Sequence, residues 1–184
     1  MTPKRPHIAV LYATEEGSTR DIAEYVAADL EERSAEVELH DIDHAPDPSR
    51  FDTVILGSAI HDMDFLPAAA DYLRHHRDQL ATTDLRLFGV GLGPALRGPL
   101  GRRLGRLVPP KISALCKEVA ARDYRAFAGH YERAGVSFKA RALYRLMGGG
   151  RYGDLRDWPA IIAWSTALGD SLGLPRARVT VIHP

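Results

Sequence analysis

The sequence predicts an α/β fold in which a parallel sheet is covered by helices on both faces. Three observations carry this reading. Short apolar runs recur along the chain, as strands buried on both sides require. Between them lie longer stretches with apolar residues every three or four positions, the spacing of amphipathic helices. The first run also passes into the first periodic stretch through a short loop rich in hydroxyl and glycine residues, Thr14–Thr19.

The elements follow in order. His7–Ala13 is the first strand. A helix runs from Ser18 to about Arg33, with Ile22, Val26 and Leu30 four apart and Ala23 and Ala27 beside them. Ser18 and Asp21 have the spacing of a capping pair. Val37, Leu39 and Ile42 mark a second strand, and Pro46 and Pro48 break the chain after it. Phe51–Ile60 is a third strand with an apolar centre at Val54-Ile55-Leu56. Pro67–Leu80 is a helix with proline near its start. Leu85–Leu92 is a fourth strand, and Gly91, Gly93, Pro94 and Gly98 turn the next segment into a loop. Ile112, Leu115, Cys116 and Val119 mark a further helical face, and Arg125–Gly129 a short fifth strand. Ala140–Met147 is helical until Gly148-Gly149-Gly150 interrupts it. Asp157 caps a last helix, Trp158 to about Leu172, with Ile161, Ile162, Leu168 and Leu172 buried. Val179–Ile182 reads as strand-like without an evident neighbour.

Composition narrows the function. A length of 184 residues suits a single domain, 1–184, with a sizeable core. Lys and Arg number 24, as do Asp and Glu. That balance excludes a protein built around nucleic acid, and it fits poorly with a shuttle steered by one charged face. Cys116 is the only cysteine, so no internal disulfide and no thiolate cluster can form, and its apolar helical setting points to packing. Met1–Pro6 is a polar lead rather than a secretory signal, and no stretch is apolar enough to span a membrane, so a cytoplasmic protein is expected.

The loop Thr14-Glu15-Glu16-Gly17-Ser18-Thr19 carries the clearest chemistry. Backbone N–H groups at a helix start have no partner in the helix, and the helix dipole favours an anion there. Thr14, Ser18 and Thr19 add hydroxyl donors, and Gly17 permits a close or left-handed backbone. With no Lys or Arg inside it, the loop is not of the Walker type. Neutral donors suit a single phosphate monoester. The bland alternative is a tight turn with a helix cap.

Thr14–Thr19 resembles the T-x-x-G-x-T phosphate loop of flavodoxin-like proteins. Further segments are similar to one branch, the menaquinone-dependent protoporphyrinogen oxidase family: Phe51–His61, Pro67–Gln79 with its Asp71–His76 core, Phe127-Ala128-Gly129 and Asp157-Trp158. The similarity runs from about Ile8 to Leu172. It implies a flavodoxin-like three-layer sandwich with a five-stranded parallel sheet, and FMN as cofactor. It also implies an oxidoreductase acting on protoporphyrinogen and passing electrons to a quinone, with peripheral contact at the inner face of the membrane. The alternative is a flavodoxin-type electron carrier. Val136–Met147 is shorter than the family's helical insertion, and Gly148–Asp154 replaces its acidic Thr-rich stretch, which leaves the substrate open.

Ligands of open parallel sheets bind beyond the carboxyl ends of the strands. Thr14–Thr19, Ser58–Leu66 and Gly91–Arg97 are the candidate loops. By the resemblance the first holds the phosphate through Thr14, Glu15, Glu16, Gly17, Ser18 and Thr19. Ser58, Ala59, Ile60 and His61 in the second, and Leu92, Gly93 and Pro94 in the third, flank the isoalloxazine ring. Met63 and Phe65 offer a stacking face, although Phe65 also suits packing against the next helix. His61 is the titratable group placed to assist. His75 and His76, as helical neighbours, point apart and make a poor metal pair. Arg97, Arg102, Arg103, Arg106 and Lys111 form either a solvated loop or a patch for anionic substrate groups or lipid heads, with Arg97 and Arg102 as the expected substrate-binding residues.

Overall fold

The first apolar run folds as strand β1, His7–Ala13, with the expected bounds. β2 (Glu36–Asp41) and β3 (Thr53–His61) lie on either side of it, both parallel. The two-residue β4 (Asp64–Phe65) turns back antiparallel on the end of β3. β5 (Asp84–Gly91) pairs with β3 and β6 (Asp123–Ala128) with β5, again parallel. The main sheet therefore has the order β2-β1-β3-β5-β6. A separate pair, β7 (His130–Tyr131) and β8 (Gly153–Asp154), is antiparallel. The computed structural model describes residues 5–96, 103, 105–131, 145 and 153–183.

Helices α1 (Ser18–Glu32), α2 (Pro67–His75), α3 (Arg77–Leu80), α4 (Pro110–Glu118) and α5 (Trp158–Ser171) cover the sheet. Strand side chains alternate between faces, which divides the core in two. Ile8, Val10, Ile55 and Phe88 meet Ile22, Val26 and Leu30 of α1 and Ile161, Trp164 and Leu168 of α5. Ala9, Leu11, Leu56 and Leu87 meet Leu73 of α2, Leu80 of α3 and Ile112 and Leu115 of α4. The result is the three-layer α/β sandwich expected, with five parallel strands.

Local differences have local causes. Ile42 leaves the strand for a 3-10 turn, Ile42–His44, because Asp41 caps that turn by accepting from the Asp43 amide at 3.0 Å. The helix expected over Pro67–Leu80 breaks at His76, whose backbone is no longer helical. That break swings the His75 and His76 rings together, edge-on with centroids 4.7 Å apart, which corrects the expectation that they point apart. Among the described residues, no group of three His, Cys, Asp or Glu side chains is placed to hold a metal. Cys116 is only half-buried, beside the α4 core. In α5, Trp158 and Trp164 carry more of the buried face than Ile162 and Leu172, which are partly exposed. Val179–Ile182 forms no strand. Arg178 donates its amide to the Glu32 carbonyl at 3.4 Å, and Val181 packs on the α1–α5 side. The helix expected at Ala140–Met147 lies outside the described residues, apart from Arg145. No helix among the described residues is long and apolar enough to cross a membrane.

α1 and α5 are joined by a buried polar cluster. Arg33 Nε donates to Asp29 at 3.1 Å, Ser165 Oγ donates to the same carboxylate at 2.7 Å, and Arg33 Nη1 reaches Asp170 at 3.3 Å. Arg33→Ala strands the Asp29 carboxylate in the core, and the expected loss in urea unfolding is about 3–5 kcal/mol. A loss in the range of an exposed pair, about 0–1 kcal/mol, contradicts this account.

The helix break gives a pH effect. Burial, chiefly, and the neighbouring His75 hold the His76 pKa below the ordinary histidine value, with Asp47 opposing. The native state therefore binds this proton more weakly than the unfolded chain. Stability is complete above about pH 6.5 and falls as pH drops from there through the lower folded pKa. Thermal melts across this window should show the decline, and His76→Gln should remove its share. A variant that declines as steeply as the parent refutes the assignment.

Candidate functional site

β1 and β3 are neighbours whose chains leave in different directions. After β1 the chain passes over one face through α1; after β3 it passes over the other through α2 and α3. Right-handed crossovers running in opposite directions along a sheet require this, and the loops part to leave a crevice.

The loop after β1 is shaped by Gly17, which caps α1 in the left-handed region at φ 91°. No side chain caps this helix, which corrects the expected Ser18–Asp21 pair. Asp21 is held elsewhere, and Ser18 turns toward the bare α-carbon of Gly129 after β6. The Thr14 hydroxyl oxygen accepts from the Gly17 amide at 2.9 Å, which leaves its proton free to donate. The first helical bond runs from the Asp21 amide to the Gly17 carbonyl at 3.0 Å. The amides of Ser18, Thr19 and Arg20 therefore have no partner within the helix. Thr19 is 0 % exposed, and its Oγ1 is buried without a hydrogen-bond partner. A buried hydroxyl normally finds one. Glu15 and Glu16 are exposed. The loop thus offers an anion three amides and a hydroxyl that lacks an acceptor.

The second loop is a hairpin extension of β3. Ser58, fully buried, donates to the Ala59 carbonyl at 2.8 Å and accepts from the Leu66 amide at 3.0 Å, so its side chain braces the loop. Ile60 lies over Gly89 and Gly91 of β5. Asp62 and Met63 make the turn with φ of 48° and 63°, both left-handed. His61 and Met63 are exposed beside it. Phe65 is buried, with its ring 6.1 Å from that of Tyr124, so it packs toward the α4 core rather than presenting a face to the crevice. The Tyr124 hydroxyl is buried without a partner, and burial pushes its pKa up.

Leu92, Gly93 and Pro94 open the third loop, a 3-10 turn over Gly93–Ala95. The Ala95 and Leu96 amides are used inside it, donating to Leu92 and Gly93 carbonyls at 3.0 Å. A side chain on Gly105 would collide with the Gly93 carbonyl, so Gly105 lies against this loop. Arg97 and Arg102 lie outside the described residues; Arg103 and Arg106 are exposed. Lys111 reaches Asp64 at 3.6 Å, tying α4 to the hairpin.

Sequence reasoning missed Arg156. Its guanidinium side chain is 8 % exposed; Nη1 donates to Asp21 at 2.7 Å and Nε to Asp154 at 2.8 Å. The hydrogen bond to Asp154 is the main reason that its pKa lies above the ordinary arginine value, and the same bond lowers that of Asp154. The partners Arg156 and Asp21 stand 135 residues apart, so local spacing carried no sign of the contact. A cavity of about 1030 Å³ opens between the third loop and α5, lined by Leu96, Arg125, Phe127, Arg156 and Trp164 among others.

An open parallel sheet with the open amides of a helix start at its direction reversal is the architecture of the doubly wound α/β class. The chain belongs to the flavodoxin domain family, whose model matches residues 9–147. Among curated proteins it is similar to protoporphyrinogen IX dehydrogenase [quinone] of Escherichia coli strain K12, with 25% identity over 85 residues, 45% of this chain and 47% of that protein. The match thus spans about half the length of that relative. Among solved structures, the two-electron reduced flavodoxin of Megasphaera elsdenii has a TM-score of 0.51 at 17% identity, covering 66% of this chain and 85% of that one. The Fusobacterium nucleatum flavodoxin bound to flavin mononucleotide has a TM-score of 0.50 at 15% identity, covering 90% and 98%. These structures share the fold. The flavodoxin domain is an FMN-binding domain, in line with the cofactor expected from the loop.

The Gly17 conformation is open to test. A β-carbon in the left-handed region costs about 1–2 kcal/mol, so Gly17→Ala should lower unfolding stability by roughly that amount. Gly17→Asn should lose less, because asparagine tolerates this region. Equal stability of all three proteins rules out the assigned turn.

Proposed function

We propose that this chain binds FMN at the β1–β3 crevice and acts as an FMN-dependent oxidoreductase of the protoporphyrinogen oxidase kind, with a quinone as electron acceptor. The observation that carries the binding half is the buried, unpartnered hydroxyl of Thr19 beside the three open amides of α1. A phosphate monoester supplies the acceptor that this hydroxyl lacks, and the residues present fit it without a lysine. Thr14, Gly17, Ser18 and Thr19 hold the phosphate, with Glu15 and Glu16 contributing backbone. Ser58, Ala59, Ile60 and His61 on one side and Leu92, Gly93 and Pro94 on the other border the ring.

Bound FMN supplies the redox chemistry, accepting electrons from one substrate and yielding them to another. The chain's own residues bind and orient. The Ser58 bonds hold the hairpin in place, and the exposed His61 offers a proton-transfer group at the crevice mouth. Arg97 and Arg102 receive the carboxylates of the substrate. The cavity beside the third loop has a size that suits a small molecule, which is compatible with a substrate of the enzyme reading. The likeness to the Escherichia coli dehydrogenase supports the porphyrinogen and quinone assignment.

Thr19→Val tests the binding half. It removes an unsatisfied hydroxyl at constant shape, so the FMN-free protein should keep or gain thermal stability while FMN affinity falls about tenfold or more. Unchanged FMN affinity removes Thr19 from the site. Oxidation of protoporphyrinogen with menadione as acceptor tests the enzymatic half. If the FMN-loaded protein oxidises no porphyrinogen but exchanges electrons with a flavodoxin reductase, the carrier reading replaces it.

A further inference from the structure

The first turn of α1 carries an electrostatic problem. Three open amides invite an anion, yet Asp21 stands on the same turn, and Glu15 and Glu16 stand before it. A carboxylate near a helix N-terminus satisfies the dipole and so competes with a ligand anion for the same field. Arg20 lies close by, but it is exposed and its Nε pairs with Glu24 at 3.6 Å. The buried cation in contact with this turn comes from the other end of the chain.

Arg156 fills that role. It is buried, it grips Asp21 at 2.7 Å, and it is anchored through Nε and Nη2 to the two oxygens of Asp154 at 2.8 and 2.9 Å. Its amide also donates to Asp154 at 3.1 Å, so that carboxylate is itself fixed by the backbone. The guanidinium carbon lies 5.0 Å from the centre of the Trp158 ring. Trp158 in turn meets Tyr25 of α1 edge-on at 5.6 Å and stacks with His183 at 4.4 Å. A planar fork held in this way is rigid in a manner that a lysine cannot reproduce.

We infer that Arg156 is a positioning residue for the phosphate loop, pinning the first turn of α1 through Asp21 and cancelling the charge that would repel a bound phosphate. The inference rests on the FMN reading above. Arg156 does not touch the ligand; it sets the field and the placement of the three amides and the Thr19 hydroxyl that do. Its effect is therefore confined to the phosphate end of the cofactor. Affinity for FMN depends on Arg156, and affinity for riboflavin, which has the same ring and no phosphate, does not.

The test compares the two ligands on the full chain by flavin fluorescence titration, with thermal melts of the apoproteins alongside. For Arg156→Ala, FMN affinity should fall about tenfold or more while riboflavin affinity stays within twofold of the parent. Arg156→Lys keeps the charge and loses the fork, and it should restore less than half of the lost factor. If Arg156→Ala does not fold, Arg156→Gln is read instead. It removes the charge and the fork but keeps a polar side chain in the space, it leaves Asp21 uncompensated, and it should again separate FMN from riboflavin, in the direction of weaker FMN. Equal losses for both ligands, no loss for either, or full rescue by lysine each overturn the inference. Failure of the parent protein to bind FMN at all overturns the cofactor reading itself, which distinguishes the two failures.

Discussion

The site exists because two adjacent strands, β1 and β3, send their chains to opposite faces of one sheet. A parallel sheet buried on both faces needs helices above and below, and right-handed crossovers can supply both only if the winding direction reverses once. The reversal leaves a gap between loops at the carboxyl ends of the strands. Everything at that rim answers to this gap: the left-handed Gly17 that turns the chain into α1, the Ser58 bonds that stiffen the hairpin, and the 3-10 turn that draws the third loop in. The two cores behind the sheet fix strand register to within a residue, since a slip would exchange their side chains. The rim inherits that exactness from packing far from any ligand.

Much of this was legible in the sequence. The buried strands announced themselves by uninterrupted apolar residues, and β1 was readable to its last residue because Thr14 ends the run abruptly. The candidate phosphate loop stood out because its hydroxyls, its glycine and the start of α1 are contiguous. What escaped was of two kinds. Breaks set by a local backbone competition, such as the end of α2 at His76 or the turn at Ile42, leave no trace in apolar periodicity. Contacts across the chain leave none either. Ser18 looked like a cap for α1, but Gly129 opened a space for it, and Asp21 looked like its partner until Arg156 took that carboxylate. Phe65 admitted two readings from sequence, and only the position of Tyr124 decides between them.

The charge pattern around the rim shows how local neutrality is reached without a local cation. A loop with two exposed glutamates and an aspartate one turn in looks ill-suited to an anion when read as a string. In three dimensions the aspartate is consumed by a buried guanidinium, the glutamates face solvent where salt screens them, and the first amides of α1 have no partner within the helix. Net charge summed over the sequence says nothing of this arrangement, because the compensating group arrives from the segment leading into α5.

Both tryptophans of the chain lie on that one helix, Trp158 at its start and Trp164 deeper, where its indole donates to Asp123 at 3.1 Å. The two indoles thus report on different things from one element. Trp158, stacked with an imidazole and close to a guanidinium, senses the rim, whereas Trp164, boxed in by Phe88 and Phe127, senses the core. They sit in different surroundings on one helix, one beside a guanidinium at the rim and one packed among aromatic rings, so single Trp158→Phe and Trp164→Phe variants separate the fluorescence of the two regions.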